Sequence, residues 1–278
     1  MQPQYEIVTT TAGAISIRDN LVNEIMHNPV GPWVEASALY VEQPKLRERI
    51  LNLKSPELVI FDIGLGAGTN AIAALKCFLD LPDRTHQRIK VVSFERNLDL
   101  LRFALSHSQA FDFFKGFEVA VNSLLNDGRW EAPHLIWELR FGDFLELLET
   151  ESERPHIIFF DPYSPKMNQE VWTTRAFQKI FSIRRSKEQG ATILYTYSQA
   201  TPVRSAMLLS GFFVGHGQGT GLKMETTQAA TQIDLLDFPL GEKWLLRWQK
   251  SQTPLPYDAE PMDHSKIAEA ISGHSQFS

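Results

Sequence analysis

Residues 58–70, LVIFDIGLGAGTN, constrain the fold more than any other part of the chain. An apolar, β-branched run ends in an acid and leads into three alternating glycines, and residues 71–78 then have a helix-forming composition. This order predicts a strand, a tight turn and a helix. Gly64, Gly66 and Gly68 allow a sharp turn and let a ligand approach the backbone closely. The segment therefore predicts a loop that binds a nucleotide-like cofactor.

The glycine spacing separates the possible cofactors. A dinucleotide fingerprint would place its third glycine at position 69, where the chain has Thr69, and a phosphate-binding P-loop would need Gly-Lys-Ser/Thr, which is absent. The acid followed by G-x-G-x-G instead resembles motif I of the class I S-adenosylmethionine (SAM) methyltransferases. An ordinary glycine turn of an α/β protein remains the alternative at this point.

Four strand-like segments each end in an acid. Asp62, Glu95, Asp143 and Asp161 follow short apolar runs that alternate with helical patterns. This alternation predicts an α/β fold with a mostly parallel sheet, and the acids then lie at the carboxyl ends of the strands, where such folds bind ligands. A single acid in this position could equally be a helix cap. Glu95 could bind a ribose, since one carboxylate can accept hydrogen bonds from both of its hydroxyls. Asp143 could accept a hydrogen bond from the adenine amine.

Composition excludes several classes of protein. The 278 residues, 43% hydrophobic and 22% charged, are typical of a soluble globular protein, and the net charge of −6 provides no overall field for nucleic acid. No apolar run is long enough to span a bilayer and the first residues do not resemble a signal peptide, so we expect a cytoplasmic protein. Cys77 is the one cysteine, which excludes a disulfide framework and a cysteine metal site. We expect no metal.

The segment that begins at Asp161 is more specific. Its sequence, DPYSP, resembles the Asn/Asp-Pro-Pro-Tyr loops of methyltransferases that modify amines. A carboxylate can hold an N–H and direct the nitrogen lone pair, while an aromatic face stabilises the cation that forms. A proline-stiffened loop with a capping acid is the alternative.

Several segments, taken in order, resemble one family. FDIGLGAGTN, SFER, FGD and DPYSPKMNQEVW are similar to the methyltransferase part of the tRNA wobble-uridine enzyme MnmC. QGATILYTYSQATPVRSAMLLSGF, GTGLKMET, HNPVGPWVEASALYVE and PLGEKWLLRWQKSQTPLP also resemble segments of this family. The resemblance covers about residues 20–258. In the segment GTGLKMET, Thr220 and Leu222 differ from the residues of the family pattern. This difference bears on the prediction of an RNA substrate more than on the prediction of the cofactor.

The resemblance implies a Rossmann-like class I fold with a mostly parallel seven-stranded sheet and an N-terminal extension. It implies SAM-dependent N-methylation of 5-aminomethyl-(2-thio)uridine to its 5-methylaminomethyl form at the tRNA wobble position, with the tRNA anticodon loop as partner. The chain contains no FAD oxidase half, so we expect methyl transfer alone. Two alternatives remain: a SAM-dependent methyltransferase or aminopropyltransferase-like enzyme acting on a small amine or protein side chain, and a non-catalytic module that keeps the fold. The sequence does not indicate an oligomeric state.

The predicted site follows from the motifs and from the resemblance. Asp161 and Tyr163 are the predicted catalytic residues, which hold and flank the amine. We expect substrate contacts from His27, Lys166 and Lys223. The predicted cofactor-binding residues are Asp62, Gly64, Gly66, Gly68, Asn70, Glu95, Asp143 and Asp161.

The pattern also predicts a domain organisation. Residues 1–55 form an N-terminal extension or small subdomain, and residues 56–258 form the methyltransferase domain. Residues 259–278 are polar and lack a core pattern, which predicts a disordered tail.

Overall fold

A computed structural model describes residues 3–26, 29–81, 87–186, 188–220 and 224–277. The chain divides into two compact units. Unit 1 comprises residues 1–144 and 219–224, and unit 2 comprises residues 145–218 and 225–278. Two predicted substrate contacts, His27 and Lys223, lie outside the described residues.

Unit 1 begins with a small antiparallel sheet and continues with the strands that carry the glycine loop. The small sheet has the order β1-β2-β3 and is followed by helices that pack against α3. The elements of unit 1 are β1 (Tyr5–Thr9), β2 (Ile15–Asp19), β3 (Glu24–Ile25), α1 (Pro32–Ala36), a π-helical turn (Ser37–Glu42), α2 (Leu46–Leu51), β4 (Glu57–Ile63), α3 (Thr69–Leu79), β5 (Arg88–Glu95), α4 (Asp99–Ser106), two 3₁₀ turns (Ser108–Ala110 and Asp112–Phe114), α5 (Glu118–Asp127), β6 (Arg129–Ala132) and β7 (Leu135–Phe141). A short helix, α6 (Phe144–Leu147), lies at the boundary between the units in the sequence.

Unit 2 contains the acid-proline loop and the last strands. Its elements are β8 (Ile157–Phe160), a 3₁₀ turn (Gln169–Trp172), α7 (Thr174–Ser182), β9 (Ile193–Thr196), α8 (Thr201–Leu209), β10 (Phe213–Gln218), β11 (Glu225–Ala230), a 3₁₀ turn (Ile233–Leu235), α9 (Glu242–Gln249), a 3₁₀ turn (Pro261–Asp263) and α10 (His264–Ser272).

The fold class agrees with the prediction, with one strand more than expected. Within the described ranges the central sheet has eight strands, ordered β4-β5-β7-β6 in unit 1 and β10-β11-β9-β8 in unit 2. The β4-β5, β5-β7 and β8-β9 pairs are parallel, while β6 and β11 run antiparallel to their neighbours. Parallel strands buried on both faces explain the nearly continuous apolar sequences of β4, β5 and β8.

The additional strand is β6, which lies between α5 and β7 in the sequence. Its residues alternate between exposed and half-buried, so it lacks the apolar signal of a central strand. It pairs with β7, and the Arg129 guanidinium contacts Glu131 on its own strand and Glu138 on β7. The prediction of seven strands is wrong. Only the backbone pairing of β6 with β7 identifies β6 as an edge strand, and such pairing leaves no apolar pattern in the sequence.

Four phenylalanines form part of the core of unit 1. Phe111, Phe113, Phe114 and Phe117 are all buried. The Trp33 ring of α1 stacks on Phe113 with ring centroids 6.4 Å apart. The N-terminal residues therefore belong to the same compact unit as the glycine loop, and the predicted boundary at residue 55 does not separate two units.

The structure also differs from the expectation of a disordered tail. Helix α10 lies in residues 259–278, and its Ile271 is fully buried. The Gln276 amide donates to the carbonyl oxygens of Val214 (2.7 Å) and Leu240 (2.8 Å), and its Oε1 accepts from the Val214 N–H. These contacts come from segments distant in sequence, so local composition could not predict them. No helix in the described ranges is long and apolar enough to cross a membrane.

Candidate active site

The glycine loop joins β4 to α3 in unit 1. Gly64, Gly66 and Gly68 have φ values of +90°, +54° and +83°, which residues with a Cβ rarely adopt. The loop closes on itself through the Gly68 N–H, which donates to the Leu65 carbonyl oxygen at 2.8 Å. A Cβ at Gly68 would lie 3.2 Å from the Leu101 side chain. The three predicted glycines are therefore required by the backbone conformation, before any ligand is considered.

Glu95 ends β5 and holds this loop in place. Its Oε2 accepts from the Gly66 N–H at 3.1 Å, and its Oε1 accepts from the N–H groups of Arg96 (2.9 Å) and Asn97 (3.0 Å). The carboxylate thus fixes both the glycine loop and the turn after β5. The sequence predicts a ligand-binding role for Glu95 but not this structural one. Both lone pairs of Oε1 are thus engaged, and one lone pair of Oε2 remains as acceptor capacity for a ligand hydroxyl.

The electrostatics of Glu95 follow from its position. Burial raises the pKa of the Glu95 carboxyl, while the N–H groups of Asn97, Gly66 and Arg96 and the Arg96 charge lower it less strongly. Because the folded-state pKa lies above the unfolded value, ionisation of Glu95 destabilises the fold at pH values above that raised pKa. This cost disappears as the pH falls through the raised pKa. A buried acid with a raised pKa is a candidate functional group.

Asp62 lies at the end of β4 and is fully buried. Its Oδ2 accepts from the Ser93 hydroxyl at 2.7 Å. The Ser93 Oγ in turn accepts from the indole N–H of Trp137 at 2.9 Å. This buried chain links β4, β5 and β7 directly beneath the glycine loop. A cofactor contact from Asp62 stays a prediction.

The remaining predicted cofactor residues of unit 1 lie at the same edge of the sheet. Asn70 is buried in the first turn of α3. Asp143 follows β7, next to Gly142, whose N–H donates to the Glu95 carbonyl oxygen at 2.9 Å. The carboxyl ends of β4, β5 and β7 therefore bring together Gly66, Glu95 and Asp143, as the sequence predicts.

Two residues near this edge were missed by the sequence interpretation. Thr69 is buried, and its hydroxyl has no hydrogen-bond partner among the described residues, so the junction of loop and helix offers a free polar group to a ligand. Tyr5 of β1 packs on Phe103, with ring centroids 5.6 Å apart. Burial raises the pKa of Tyr5 to about 12, with the carboxylates of Asp19, Asp99 and Glu95 adding to it. Only the tertiary structure brings Tyr5 near Glu95, since β1 is distant from Glu95 in the sequence.

The acid-proline loop, residues 161–164, follows β8 in unit 2. Two aromatic side chains fix its backbone: the Trp172 indole N–H donates to the Tyr163 carbonyl oxygen at 2.9 Å, and the Tyr197 hydroxyl donates to the Pro162 carbonyl oxygen at 3.0 Å. Trp172 and Tyr197 meet edge to face, 5.6 Å apart. The loop is therefore held rigidly. The sequence predicts Asp161 and Tyr163 but not these two supports.

Asp161 and Tyr163 are both half-buried, as groups that contact a substrate must be. Lys166, a predicted substrate contact that follows this loop in the sequence, is exposed. It forms no ion pair with any part of the chain that the structure describes.

A family model described as S-adenosyl-L-methionine-dependent methyltransferase matches residues 127–232. The chain is 28% identical over 204 residues to the tRNA 5-methylaminomethyl-2-thiouridine biosynthesis bifunctional protein MnmC of Burkholderia vietnamiensis. That alignment covers 68% of this chain and 29% of MnmC. The structure also aligns with that of MNMC2 from Aquifex aeolicus, with a TM-score of 0.71, 21% identity, and coverage of 98% of this chain and 84% of that one.

The chain is thus similar to MnmC-type SAM-dependent methyltransferases in sequence and in fold. An uncharacterised protein of Methanocaldococcus jannaschii is 24% identical to it over 249 residues, covering 82% of this chain and 60% of that protein. The MnmC-like chain thus spans less than two thirds of the length of these two curated relatives. Spermidine synthase from Thermotoga maritima shares the fold, with a TM-score of 0.52, 14% identity, and coverage of 95% and 84% of the two chains.

The residues present fit the SAM cofactor. The positive-φ glycines keep side chains away from the loop, Glu95 offers acceptor capacity, and the unpartnered Thr69 hydroxyl lies at the start of α3. The absence of a phosphate-binding lysine agrees with a ligand that has no phosphate.

Proposed function

We propose that this methyltransferase N-methylates 5-aminomethyl-(2-thio)uridine at the tRNA wobble position, giving 5-methylaminomethyl-(2-thio)uridine. The observation that carries the proposal is the rigid acid-proline loop, which presents Asp161 and Tyr163 on a backbone fixed by Trp172 and Tyr197. A carboxylate beside an aromatic ring suits an amine that becomes cationic as it is methylated. The similarity to MnmC supports tRNA as the substrate. A tRNA substrate also favours a cytoplasmic location.

Asp161 orients the acceptor in this mechanism. Its carboxylate accepts an N–H of the aminomethyl group, so that the nitrogen lone pair is directed towards the methyl carbon. SAM supplies a methyl group on a sulfonium, and transfer leaves a neutral thioether. Since the chemistry is already activated by the sulfonium, the protein contributes mainly position and an unprotonated amine. Asp161 also takes the proton that the methylated ammonium loses, directly or through water.

Glu95, Asp143 and the glycine loop hold the cofactor. Glu95 would accept a ribose hydroxyl with the one lone pair of Oε2 that its three backbone donors leave. Asp143 accepts the adenine amine, and Asp62 and Asn70 support the amino-acid end of the ligand. Asp161 borders the methyl group.

The substrate base is held by aromatic and basic groups. Tyr163 flanks the uracil ring or its amine, and Lys166, Lys223 and His27 contact the base or nearby phosphates. A wobble base already lies in a single-stranded loop, so extruding it costs less than extruding a base from a duplex.

The test is transfer of radiolabelled methyl from SAM to total tRNA from a strain that lacks this modification, followed by nucleoside mass spectrometry. We expect label in 5-methylaminomethyl-uridine or its 2-thio form. Label in any other nucleoside, or none with SAM binding retained, would exclude the proposed reaction. Asp161→Ala protein serves as the inactive reference, and Asp234→Ala removes an exposed carboxylate elsewhere in unit 2 as the matched control.

A small amine or a protein side chain is the second candidate acceptor. The fold similarity to spermidine synthase and the net charge of −6 favour it. Methyl transfer from SAM to any of these acceptors releases S-adenosylhomocysteine, whereas aminopropyl transfer requires decarboxylated SAM as donor and releases 5′-methylthioadenosine, so the acceptor is identified by the labelled product and the type of transfer by the adenosine product. Incubation with polyamines or with protein extract in place of tRNA, followed by chromatography of the adenosine product, separates these possibilities.

A further inference from the structure

Helix α9 and its C-cap residue, Lys250, carry three cations on one face. Lys243, Arg247 and Lys250 are spaced i, i+4 and i+7, which places them within about 60° of one another around the helix axis. Trp244 and Trp248 are buried, so they face the core of unit 2, whereas the three cations are exposed. We call these three residues the basic stripe.

The basic stripe has no counter-charge within the described part of the chain. None of the three cations forms an ion pair or a side-chain hydrogen bond there. Like charges four residues apart destabilise a helix. The helix dipole favours Arg247 and Lys250 near the C-terminus but disfavours Lys243 in the first turn. Helix stability therefore does not account for the stripe.

The stripe borders an open pocket of about 470 Å³. The lining residues are His216, Gly241, Glu242, Lys243, Trp244 and Arg247. Glu242 occupies the first turn of α9, where the helix dipole favours an acid, so it has a structural reason to be present. The other charged lining residues, Lys243 and Arg247, are both cationic, and this makes the pocket attractive to an anion.

His216 is held at one side of this pocket by a partly buried network. Its Nδ1 lies 2.6 Å from Glu225, whose other oxygen accepts from Arg204 at 3.0 Å. Arg204 is buried and also donates to the Thr227 hydroxyl. The His216 Nε2 has no partner among the residues described. Phe238, whose carbonyl oxygen accepts from the His216 N–H at 2.8 Å, has 62% of its surface exposed.

We propose that this pocket and the basic stripe bind backbone phosphates of the RNA substrate, with Phe238 available to stack on an unpaired base. The inference rests on the proposed function, since it assigns a second contact region for the same substrate. Cations beside an exposed aromatic ring are typical of sites that track a single-stranded or loop region of RNA. In a chain of net charge −6, such a local patch supplies the attraction that the overall charge does not.

The test compares the wild type with Lys243→Ala/Arg247→Ala in tRNA binding over a series of salt concentrations. We expect affinity to fall about 5- to 20-fold at low salt and the slope of log K against log salt to decrease by about 1.5–2, because two phosphate contacts are lost. The KM for tRNA should rise while kcat stays near the wild-type value. Lys115→Ala/Arg88→Ala removes the same charge from exposed positions in unit 1 and should change neither quantity.

The nucleoside 5-aminomethyluridine provides the decisive comparison, since it has no phosphates. We expect the double variant to methylate it as the wild type does, which would also show that the variant is folded. An unchanged tRNA affinity and salt slope in the double variant would overturn the inference, although the proposed tRNA methylation would still stand. That result would point to an acidic protein as the partner of the basic stripe. A wild-type chain that methylates neither tRNA nor the nucleoside would instead contradict the proposed function.

Discussion

The glycine loop and the acid-proline loop are held in different ways. The glycine loop is fixed by one carboxylate, Glu95, that accepts backbone N–H groups from the loop and from its own turn. The acid-proline loop is fixed by two aromatic side chains, Trp172 and Tyr197, that donate to its carbonyl oxygens. The first arrangement makes the holding group available to the ligand as well. The second holds the loop through the backbone carbonyl oxygens of Pro162 and Tyr163.

This difference predicts how each loop fails. Damage to the glycine loop should abolish cofactor binding, because loop shape and ligand contact depend on the same residues. Damage to the acid-proline loop should reduce turnover while cofactor affinity remains. The four substitutions below test this separation.

The largest expected effect is that of Gly66→Val. A β-branched residue at φ = +54° is strained by roughly 1–3 kcal/mol, and its side chain extends from a loop that must approach the ligand closely. We expect SAM binding to be undetectable by calorimetry. Gly13→Val is the matched control, since Gly13 also has a positive φ but lies in the β1-β2 turn with open space around it. Normal SAM affinity in Gly66→Val would show that the loop does not form the cofactor site.

Asp161→Ala should lower kcat by about 10²–10³-fold, because the amine loses the group that orients it and accepts its proton. The SAM dissociation constant should change by less than about threefold. Steady-state kinetics and calorimetry measure the two quantities separately. If turnover persisted in Asp161→Ala at the level of the Asp234→Ala control, the catalytic role assigned to Asp161 would be wrong.

Glu95→Ala should weaken SAM binding by about 10- to 100-fold, corresponding to roughly 1–3 kcal/mol for lost charged hydrogen bonds. A pH series sharpens the test. Because burial raises the pKa of Glu95, wild-type affinity should decrease as the pH falls through that raised value and the carboxylate becomes protonated. The affinity of Glu95→Ala should not show this decrease. Parallel pH profiles in the two proteins would exclude Glu95 as the titrating ligand contact.

Tyr197→Phe should have the smallest effect. It removes the hydroxyl that donates to Pro162, and one hydrogen bond contributes roughly 1 kcal/mol. We expect kcat to fall about fivefold with no change in SAM affinity. Tyr257→Phe is the control, since it removes a hydroxyl that makes no hydrogen bond among the described residues. A loss of SAM affinity in Tyr197→Phe would show that the two loops are not independent.

The sequence predicts a structural feature well when residues that are close together in the chain determine it. The strand, glycine loop and helix at residues 58–79 were predicted because they are local, and only glycine adopts the three positive-φ positions easily. The acids at the ends of β4, β5, β7 and β8 were predicted because parallel strands place their carboxyl ends together. Short edge strands and polar tails carry no comparable signal, so β6 and α10 were missed.

The sequence by itself therefore determined the fold class from strand periodicity, and its resemblance to motif I and to the acid-proline loops of methyltransferases indicated the SAM cofactor and the candidates Glu95 and Asp161. Only the tertiary structure decided what holds these residues. The Glu95 bond to Gly66 spans 29 positions, the Tyr197 bond to Pro162 spans 35, and the bonds of Gln276 to Val214 span 62. Local propensity contains no information about such pairs, because they form only when packing brings distant segments together.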